Sequence, residues 1–442
     1  MLKPVVILRI SQRMKDVNDL RTPRDFVLSY VESYEIIDNI DNLTKTCKIT
    51  IPNSNYWDKN KINPPKNLFN EIRYGDSIQI LSGYVQGRKL DDFSDVTVLF
   101  DGWVTRVSNT TPMTIDCQDH MFLLKKSRCL NLTWDTTKKL NEAKKEGTLE
   151  NLIVYMFKNI KYDYIKYDKA ANKATKESTS LWDLGFRINT DNTGTNIGKW
   201  ILFESNSIAD FLEEIRSKCK FTVFLKGFDL FCGIIQYNHR LKQEDKLIFG
   251  TNTNIIENNI EIVYKDEYRV KVKAVGIQKT ELNGKKKEYR IEETVGDFDG
   301  DLKTWHSLDD FQDAYFEPGQ TEKKRSKTLR EQALSILPKF RADKAKGNIV
   351  TFGYPKVFKG NIVTIIDQPI LDRQPKLKAS TGDWKDGLEF LVRGVIYNGG
   401  TQGLRQTIEL DFRYDTLTPE ELKNYIENKG FINLSEDKKN NS

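Results

Sequence analysis

Gly75-Asp76-Ser77-Ile78-Gln79-Ile80 decides the fold, because a related stretch, Gly360-Asn361-Ile362-Val363-Thr364-Ile365, follows much later in the chain. Each stretch opens with a glycine turn and continues into residues that are typical of a β-strand. Similar units that recur along one chain indicate an internal repeat. The sequence therefore predicts two related β units.

Two further pairs of motifs follow in the same order in both halves. Phe100-Asp101-Gly102-Trp103-Val104 is matched with Val392-Arg393-Gly394-Val395-Ile396, and Thr114-Ile115-Asp116 with Thr407-Ile408-Glu409. The glycine inside the middle strand indicates a bulge or a close backbone approach. Unrelated strands of any β-barrel could produce such matches by chance, but a duplicated barrel is the preferred interpretation.

Composition and charge narrow the class of protein. The chain has 442 residues, of which 69 are basic and 63 acidic, so its net charge is +6, and 11% of its residues are aromatic. A charge this small excludes a strongly basic nucleic-acid binder, and the aromatic content excludes a disordered acidic chain. At roughly 150 residues per domain, we expect about three domains.

The N-terminus and the cysteines indicate folding in a cytoplasm. Arg9 interrupts the first apolar stretch, and no apolar run reaches the roughly 18 residues that a membrane span needs, so we expect no signal peptide and no membrane insertion. An odd number of cysteines without CxxC spacing predicts reduced thiols rather than disulfides or a zinc site. The five are Cys47, Cys117, Cys129, Cys219 and Cys232.

The fold class predicted from these patterns is α+β and mainly antiparallel β, with a β domain at 1–120 and an α/β insert at 121–245. A second β domain at 246–416 contains a hairpin turn at Asn283-Gly284 and one helix over about 321–337. In the insert, we predict a helical stretch over Lys138–Ile160 that Gly147 splits in two, a helix after Ser207, and a loop over 161–200. Residues 417–442 are predicted to form a short helix and a flexible tail.

The candidate sites for chemistry are weak. His120 beside Asp119 is interpreted as a polar pair at a strand end, Asp116 and Asp119 show no sign of a raised pKa, and Glu213-Glu214 point in different directions on a helix. Gly194-Thr195-Asn196-Ile197-Gly198-Lys199-Trp200 is one residue too short for a phosphate-binding loop. We therefore predict no catalytic, cofactor-binding or metal-binding residues.

Two charged segments each allow two interpretations. Asp297-Phe298-Asp299-Gly300-Asp301 resembles a calcium loop but has its glycine at position four, so a solvated turn is the default and weak cation binding stays open. The basic run Lys323-Lys324-Arg325 continues through Lys327 to Arg330. It is interpreted as a solvated helix face, with contact to an acidic partner or to nucleic acid as the alternative.

These residues resemble the phage tail and baseplate hub proteins of the late control protein D family, and the hub part of type VI secretion spike proteins. The resemblance extends over about residues 5–415 as short motifs in a fixed order. Besides the repeat motifs above, it rests on the following stretches: Leu43-Thr44-Lys45-Thr46-Cys47-Lys48-Ile49-Thr50-Ile51-Pro52, Ile115-Asp116-Cys117-Gln118-Asp119, Phe249-Gly250, Asn254-Ile255-Ile256-Glu257-Asn258, Val270-Lys271-Val272-Lys273-Ala274 and Thr351-Phe352-Gly353-Tyr354-Pro355.

The resemblance implies two tail-tube-like β-barrels per chain with the α/β domain between them, and a homotrimer whose six barrels form a ring. Such a hub adapts a sixfold tail tube to a threefold spike and lines the central channel. The implied partners are the tail tube protein, a separate trimeric spike protein and other baseplate proteins, with DNA only as passing cargo. The implied location is the tail or baseplate of a virion, after assembly in the host cytoplasm.

Two other functions remain as alternatives to this non-enzymatic structural role. A β-rich cell-wall or glycan hydrolase of the tail tip would use some of the seven tryptophans, among them Trp103, Trp182, Trp200 and Trp384, to line a sugar groove. A nucleic-acid-binding module would use the basic run at 323–330. The sequence leaves open whether the tail is contractile, whether the machine is a phage or a phage-derived injection device, and which residues contact the spike.

Overall fold

A computed structural model gives the structure of the chain between residues 2 and 413. Within these limits it does not describe 20–21, 29, 53–54, 57–65, 87–95, 136–147, 169, 172, 191–198, 220, 234–246, 252, 262–268, 283–284, 313–329, 331–332, 334–336, 338–345, 367–387 and 402. The predicted helix at 321–337 and the run at 323–330 lie almost wholly outside the described residues, as do the segment 417–442 and the part of the predicted helical stretch before Gly147.

In its described part, the first β region contains nine strands and one short helix. Its inner strands alternate buried and exposed side chains, which is the period of a sheet with one face on the core and one in solvent. The elements are β1 (Leu2–Ser11), β2 (Asp25–Leu28), β3 (Ser33–Asn39), β4 (Thr46–Ile51), β5 (Asn55–Tyr56), β6 (Lys66–Asn67), α1 (Leu68–Glu71), β7 (Ser77–Gln86), β8 (Thr97–Ser108) and β9 (Met113–Gln118).

The middle of the chain mixes helices with small sheets. Ser207 caps α4 as expected, since its Oγ accepts from the backbone N–H of Asp210 at 3.1 Å. The elements are α2 (Met121–Lys126), β10 (Leu132–Asp135), α3 (Leu149–Asn159), β11 (Lys161–Asp168), β12 (Lys173–Ser180), β13 (Arg187–Thr190), β14 (Lys199–Leu202), α4 (Ile208–Cys219), β15 (Thr222–Lys226) and β16 (Asp229–Gly233).

The predicted loop over 161–200 is wrong, because most of this stretch forms strands. The antiparallel strands β11 and β12 pair along their whole length. Ion pairs cross between them, from Lys176 to Asp163 at 2.9 Å and from Lys166 to Glu177 at 3.2 Å. Both faces of this two-stranded ribbon are largely exposed, so polar residues suit both of them. A polar composition is also typical of loops, which explains the wrong prediction.

Strands return in the last part of the chain. Leu282 pairs with Lys285, the two residues that flank the predicted turn at Asn283-Gly284. The elements are β17 (Leu247–Gly250), β18 (Ile255–Glu261), β19 (Val270–Leu282), β20 (Lys285–Gly296), β21 (Asp301–Gln312), β22 (Lys346–Thr351), β23 (Ile362–Ile366), β24 (Leu388–Gly400) and β25 (Gly403–Arg413).

Thirteen of the described strands form one large sheet that joins the two β regions. Its main order is β18-β22-β25-β24-β3-β4-β9-β8-β7-β1-β2, and β23 pairs with both β17 and β24. The prediction of a mainly antiparallel β fold is confirmed. No strand pairing among the described residues closes this sheet into a barrel, so the two-barrel arrangement stays a prediction.

The internal repeat is visible in hydrogen bonds. The N–H of Gly75 donates to the carbonyl of Val104 at 2.8 Å, and the N–H of Gly360 donates to that of Val392 at 2.8 Å. Both glycines have positive φ, 86° and 79°, where residues with a Cβ are disfavoured. A β-bulge follows in each partner strand, after Val104 and after Val392. The equivalent order is therefore β3-β4-β9-β8-β7 in the first half and β18-β22-β25-β24-β23 in the second.

The same register shows that the predicted alignment of the middle pair of motifs is wrong by four residues. Val104 is equivalent to Val392, not to Ile396, so Gly394 occupies the place of Arg106 rather than that of Gly102. The other two motif pairs agree with the structure. In particular, Ser108 pairs with Thr114 just as Ile396 pairs with Thr407.

Two hydrophobic cores lie beneath these strands. One packs buried side chains from both β regions together, including Ile36, Ile49, Val395 and Ile408. The other lies in the insert, around Leu152, Phe211 and their neighbours. Among the described residues, no helix has the length and apolar character that crossing a membrane requires.

Candidate assembly surface

The two halves of the large sheet meet where β24 pairs with β3, a junction called the seam below. Residues 394–400 of β24 run antiparallel to residues 33–39 of β3. At one end, Asn39 Nδ2 donates to Glu409 Oε2 at 2.5 Å. A Cβ at Gly394 would lie 2.7 Å from Asn39 Nδ2, so this glycine leaves the space for that side-chain contact.

The seam joins one edge of β24 to one edge of β3, and the repeat contains an equivalent strand for each of them. The equivalent of β24 is β8, and its segment Arg106–Ser108 pairs with β9 on one side only. The equivalent of β3 is β18, which pairs only with β22. Among the described residues, neither edge has a second strand partner. Unpaired edges of this kind are templates for strand addition by another chain.

The exposed face of the sheet carries a row of residues that are paired in register across six strands. The register pairs Arg405 with Asn398, Asn398 with Glu35, Glu35 with Lys48, Lys48 with Asp116, and Asp116 with Arg106. We call this set the charged row. Five of its six side chains are exposed and Asp116 is half-buried. The equivalent positions in the second half are Asn259, Asn348, Glu409 and Gly394.

Part of the charged row lines an open groove of about 650 Å³ that spans the seam. Glu35 and Lys48 come from the first half, and Asn398 and Arg405 from the second. Glu32 adds a second carboxylate, so two acids face two bases in this groove. The groove is therefore polar and close to neutral.

A buried charge cluster joins the sheet to the insert. Asp38, only 4% exposed, accepts ion pairs from Lys359 at 2.6 Å and from Lys45 at 3.1 Å. Lys359 is 3% exposed, and its ammonium lies 4.9 Å from the ring centre of Phe224 in the insert. Burial alone would raise the pKa of Asp38, but the two ammonium groups outweigh it and hold the pKa below its usual value.

The equivalent turn of the first half also contacts the insert. Tyr74 precedes Gly75 as Lys359 precedes Gly360, and its ring meets that of Phe122 edge-on, 5.5 Å between centres. Lys126 lies over the same two rings, at 4.6 Å from Tyr74 and 4.4 Å from Phe122. The insert therefore rests against both copies of the repeated turn.

His120 packs between β8 and the insert. Its Nδ1 accepts from Trp103 Nε1–H at 3.3 Å, and its ring stacks on Phe228 with 3.9 Å between centres. Its Nε2 lies 3.7 Å from Asp101 Oδ2. Burial would raise the pKa of Asp101, but hydrogen bonding, above all to His120, leaves it lowered. The histidine, 6% exposed, thus helps to join β8 to the insert.

The carboxylates considered for catalysis do not converge. Asp116 lies in the charged row, whereas Asp119 is 5% exposed and accepts from the backbone N–H groups of Lys45 and Met121. Burial raises the pKa of Asp119, contrary to the sequence-based expectation, yet the side chain is sealed from substrate. On α4, Glu213 is bonded to Arg216 at 2.6 Å. None of these supplies the exposed acid and base that the hydrolase alternative needs.

The calcium-like loop is a turn held by protein contacts. Asp297 Oδ2 accepts from the N–H of Val270 at 3.0 Å, and Asp299 is paired with Arg269. Within the described residues, no group of three or more His, Cys, Asp or Glu side chains could hold a metal ion. The phosphate-loop candidate lies mostly outside the described residues, and its Trp200 packs in the insert core.

Comparison with known proteins supports the fold-level resemblance. No family model matches the chain, and no curated protein matches it. A tail protein from Neisseria meningitidis MC58 shares 12% identity, with a TM-score of 0.53 over 92% of this chain and 96% of that one.

Two further solved structures are similar. The 43 kDa tail protein of prophage MuSo2 from Shewanella oneidensis has 11% identity and a TM-score of 0.49, covering 93% of this chain and 99% of that one. The prophage tail protein gp18 from Listeria monocytogenes EGD-e has 11% identity and a TM-score of 0.42, covering 96% and 98%. The likeness to the Neisseria meningitidis tail protein confirms the resemblance to tail proteins at the level of the fold.

Proposed function

We propose that the protein is a structural hub of a phage-like tail, with no enzymatic role. Three copies join edge to edge into a ring, and each copy contributes two tube-like β units, at 1–120 and 246–416, with the insert at 121–245 outside them. The ring adapts a sixfold tail tube to a threefold spike and surrounds a channel. The fold shared with a tail protein from Neisseria meningitidis supports this role.

The observation that carries the proposal is the seam, together with the equivalents of its two strands, β8 and β18, which have no second strand partner among the described residues. Within one chain, residues 394–400 pair with residues 33–39. The same geometry between chains would pair β8 in one copy with β18 in the next. Applying the seam's register to the repeat aligns Ser108 with Glu261. Because the donor and acceptor edges differ, this contact is head-to-tail and generates a ring when its rotation closes. The number three comes from the hub resemblance.

The proposed partners follow from the same ring. Its sixfold face would bind the tail tube protein, its threefold face a separate trimeric spike, and its periphery other baseplate proteins. DNA would pass through the channel only as cargo. The proposed location is the tail or baseplate of the virion, after assembly in the host cytoplasm.

The experiment measures the mass of the native assembly and the register of the new pairing. A hub should give three times the 51.3 kDa chain mass when alone, and that mass plus the masses of its bound partners when tube and spike proteins are present. Ser108→Cys combined with Glu261→Cys should form disulfide-linked oligomers under mild oxidation. The matched control is Ser108→Cys with Asn258→Cys, which is three residues out of register and should link far less. A monomer under all these conditions, without rings in electron micrographs, contradicts the proposal.

A further inference from the structure

The hairpin between β24 and β25 is longer than its equivalent in the first half of the repeat. After Ile396 pairs with Thr407, this hairpin continues for four more residue pairs. The equivalent hairpin between β8 and β9 has its last pair at the corresponding place, with Ser108 opposite Thr114. We call residues 397–403 the glycine tip, because three of these seven residues are glycines.

The glycine tip lies so close to β3 that two of its positions have no room for a side chain. A Cβ at Gly399 would lie 2.7 Å from Cε1 of Tyr34, a residue that is only 2% exposed. A Cβ at Gly400 would press against the carbonyl oxygen of Glu32, which accepts from the N–H of Thr401 at 3.2 Å. The two glycines therefore permit a close contact with β3 that larger residues would prevent.

The repeat makes β8 of a second copy a competitor for the same edge of β3. Matching Val104 with Val392 puts Arg106–Ser108 in the place of residues 394–396. These residues of β8 could therefore pair with residues 37–39 of another copy, and we call this the misjoined contact. Because N-terminal segments generally fold first during synthesis, β3 and β8 exist before β24 is made.

The misjoined contact would be incompatible with the proposed ring. It would join first halves to one another, and it would leave β24 and β18 without the partners that the ring gives them. Main-chain N–H and C=O groups are the same in every strand, so an open edge does not discriminate between partners by itself. Discrimination has to come from the length of the pairing and from the fit of side chains.

We propose that the glycine tip ensures that β3 pairs with β24 of its own chain, and that Gly399 and Gly400 are the residues that determine this specificity against β8 of a second copy. With the tip, β24 makes seven residue pairs with β3, whereas Arg106–Ser108 would make three. The proposal rests on the proposed hub function, in which β8 pairs with β18 of the next copy. A purely stabilising role of the tip predicts that its loss lowers stability but leaves β3 closed to β8.

The test compares two cysteine pairs in the full chain under mild oxidation. Ile37→Cys with Ile396→Cys reports the seam, because these residues are opposite each other in register. Ile37→Cys with Ser108→Cys reports the misjoined contact between copies. Within one chain, β4 and β9 lie between β3 and β8 at about 4.8 Å per strand, so this second pair is too far apart to link. Mass spectrometry of the linked peptides identifies each product.

Both cysteine pairs are then combined with changes at the glycine tip. Gly399→Val fills the space beside Tyr34, and we expect it to raise the ratio of misjoined to seam product at least about fivefold, because overpacking disfavours the seam by at least that factor. Adding Tyr34→Ala removes the clashing ring and should bring the ratio back toward wild type. Leu152→Ala is the matched control, since it disrupts the insert core and not the core beneath β3.

Three results would overturn the inference. These are a ratio that Gly399→Val leaves unchanged, a ratio that Tyr34→Ala does not bring back, and an equal rise with Leu152→Ala, which would mean that any loss of stability opens β3. Failure of the hub is a separate outcome. A wild-type chain that stays monomeric and forms no link between residues 108 and 261 refutes the hub, while the seam pair lies within one chain and still tests the glycine tip.

Discussion

Replacing Asp38 by asparagine removes the carboxylate that forms ion pairs with both lysines of the buried cluster between the sheet and the insert. The side chain keeps its size, so the change is almost purely electrostatic. Lys359, 3% exposed, then loses its ion pair at 2.6 Å and retains the ring of Phe224 and the electrostatic interaction with Asp119. Lys45 is less affected, because its ammonium also donates to the carbonyl of Leu99 at 2.7 Å.

The expected loss of folding stability follows from the burial of both Asp38 and Lys359. Breaking a buried ion pair from one side leaves an uncompensated charge and costs about 3–5 kcal/mol. An unfolding entropy near 2.1 cal/mol/K per residue gives roughly 0.9 kcal/mol per degree for a chain of 442 residues that unfolds as a unit. Asp38→Asn should therefore lower Tm by about 3–5 °C.

The assay is thermal unfolding followed by circular dichroism, on a set of matched variants. Lys359→Met should cost less than Asp38→Asn, because Asp38 keeps Lys45 as a partner. The double variant Asp38→Asn with Lys359→Met should recover much of the loss. Asp41→Asn is the control, since Asp41 pairs with Arg393 at the exposed end of the seam, where an ion pair contributes about 0–1 kcal/mol.

Two results would refute this reasoning. If Asp38→Asn shifts Tm no more than Asp41→Asn, the cluster is not the buried, coupled unit that the distances describe. If the losses of the two single variants simply add in the double variant, Asp38 and Lys359 are not coupled, since contacting residues are expected to deviate from additivity.

Two further predictions concern the pH dependence of stability and the packing of strand β8. The pKa of Asp38 is lowered in the folded chain, so the stability it contributes is present above its unfolded value of about 4 and is lost as pH falls through the lower native value. The Tm difference between wild type and Asp38→Asn should therefore narrow below about pH 4, and a constant difference would contradict this assignment. Gly102→Ala places a Cβ against the carbonyl oxygen of Gln118, far inside van der Waals contact. It should destabilise by about 1–3 kcal/mol in thermal unfolding. Gly227→Asn, at an open turn with φ of 61°, should change Tm little, and equal effects of the two would show that crowding in β8 is not the cause.

Local sequence patterns were sufficient for many single elements. The alternation in Thr46–Ile51 predicts β4 with its observed bounds, because one face is buried and one exposed. The serine that caps α4 was also identifiable, since an N-cap hydroxyl acts on N–H groups within three residues. Such contacts join residues that are close in the chain, so the local sequence is enough to predict them.

Register was harder to predict, as the glycines of the middle motif show. Gly102 avoids a clash with the backbone of Gln118, whereas Gly394 makes room for Asn39 and Glu409 at the seam. The sequence matches the two glycines because each lies inside a similar strand, but they avoid steric clashes with different groups. Only the observed strand pairing shows that the two positions are not equivalent.

The charge cluster and the charged row were missed for a related reason. Lys359 and Asp38 are distant in the chain, and no local pattern links a lysine in a turn to an aspartate on the buried face of a strand. The members of the charged row were recognisable as polar positions of alternating strands. Their arrangement in one line depends on five registers at once.

The two halves of the repeat have kept their strand register while their exposed faces have diverged. Where the first half presents Glu35, Lys48, Asp116 and Arg106, the second presents Asn259, Asn348, Glu409 and Gly394. In a ring of three copies, the backbone would thus follow an approximate sixfold symmetry, while the charge pattern repeats only three times.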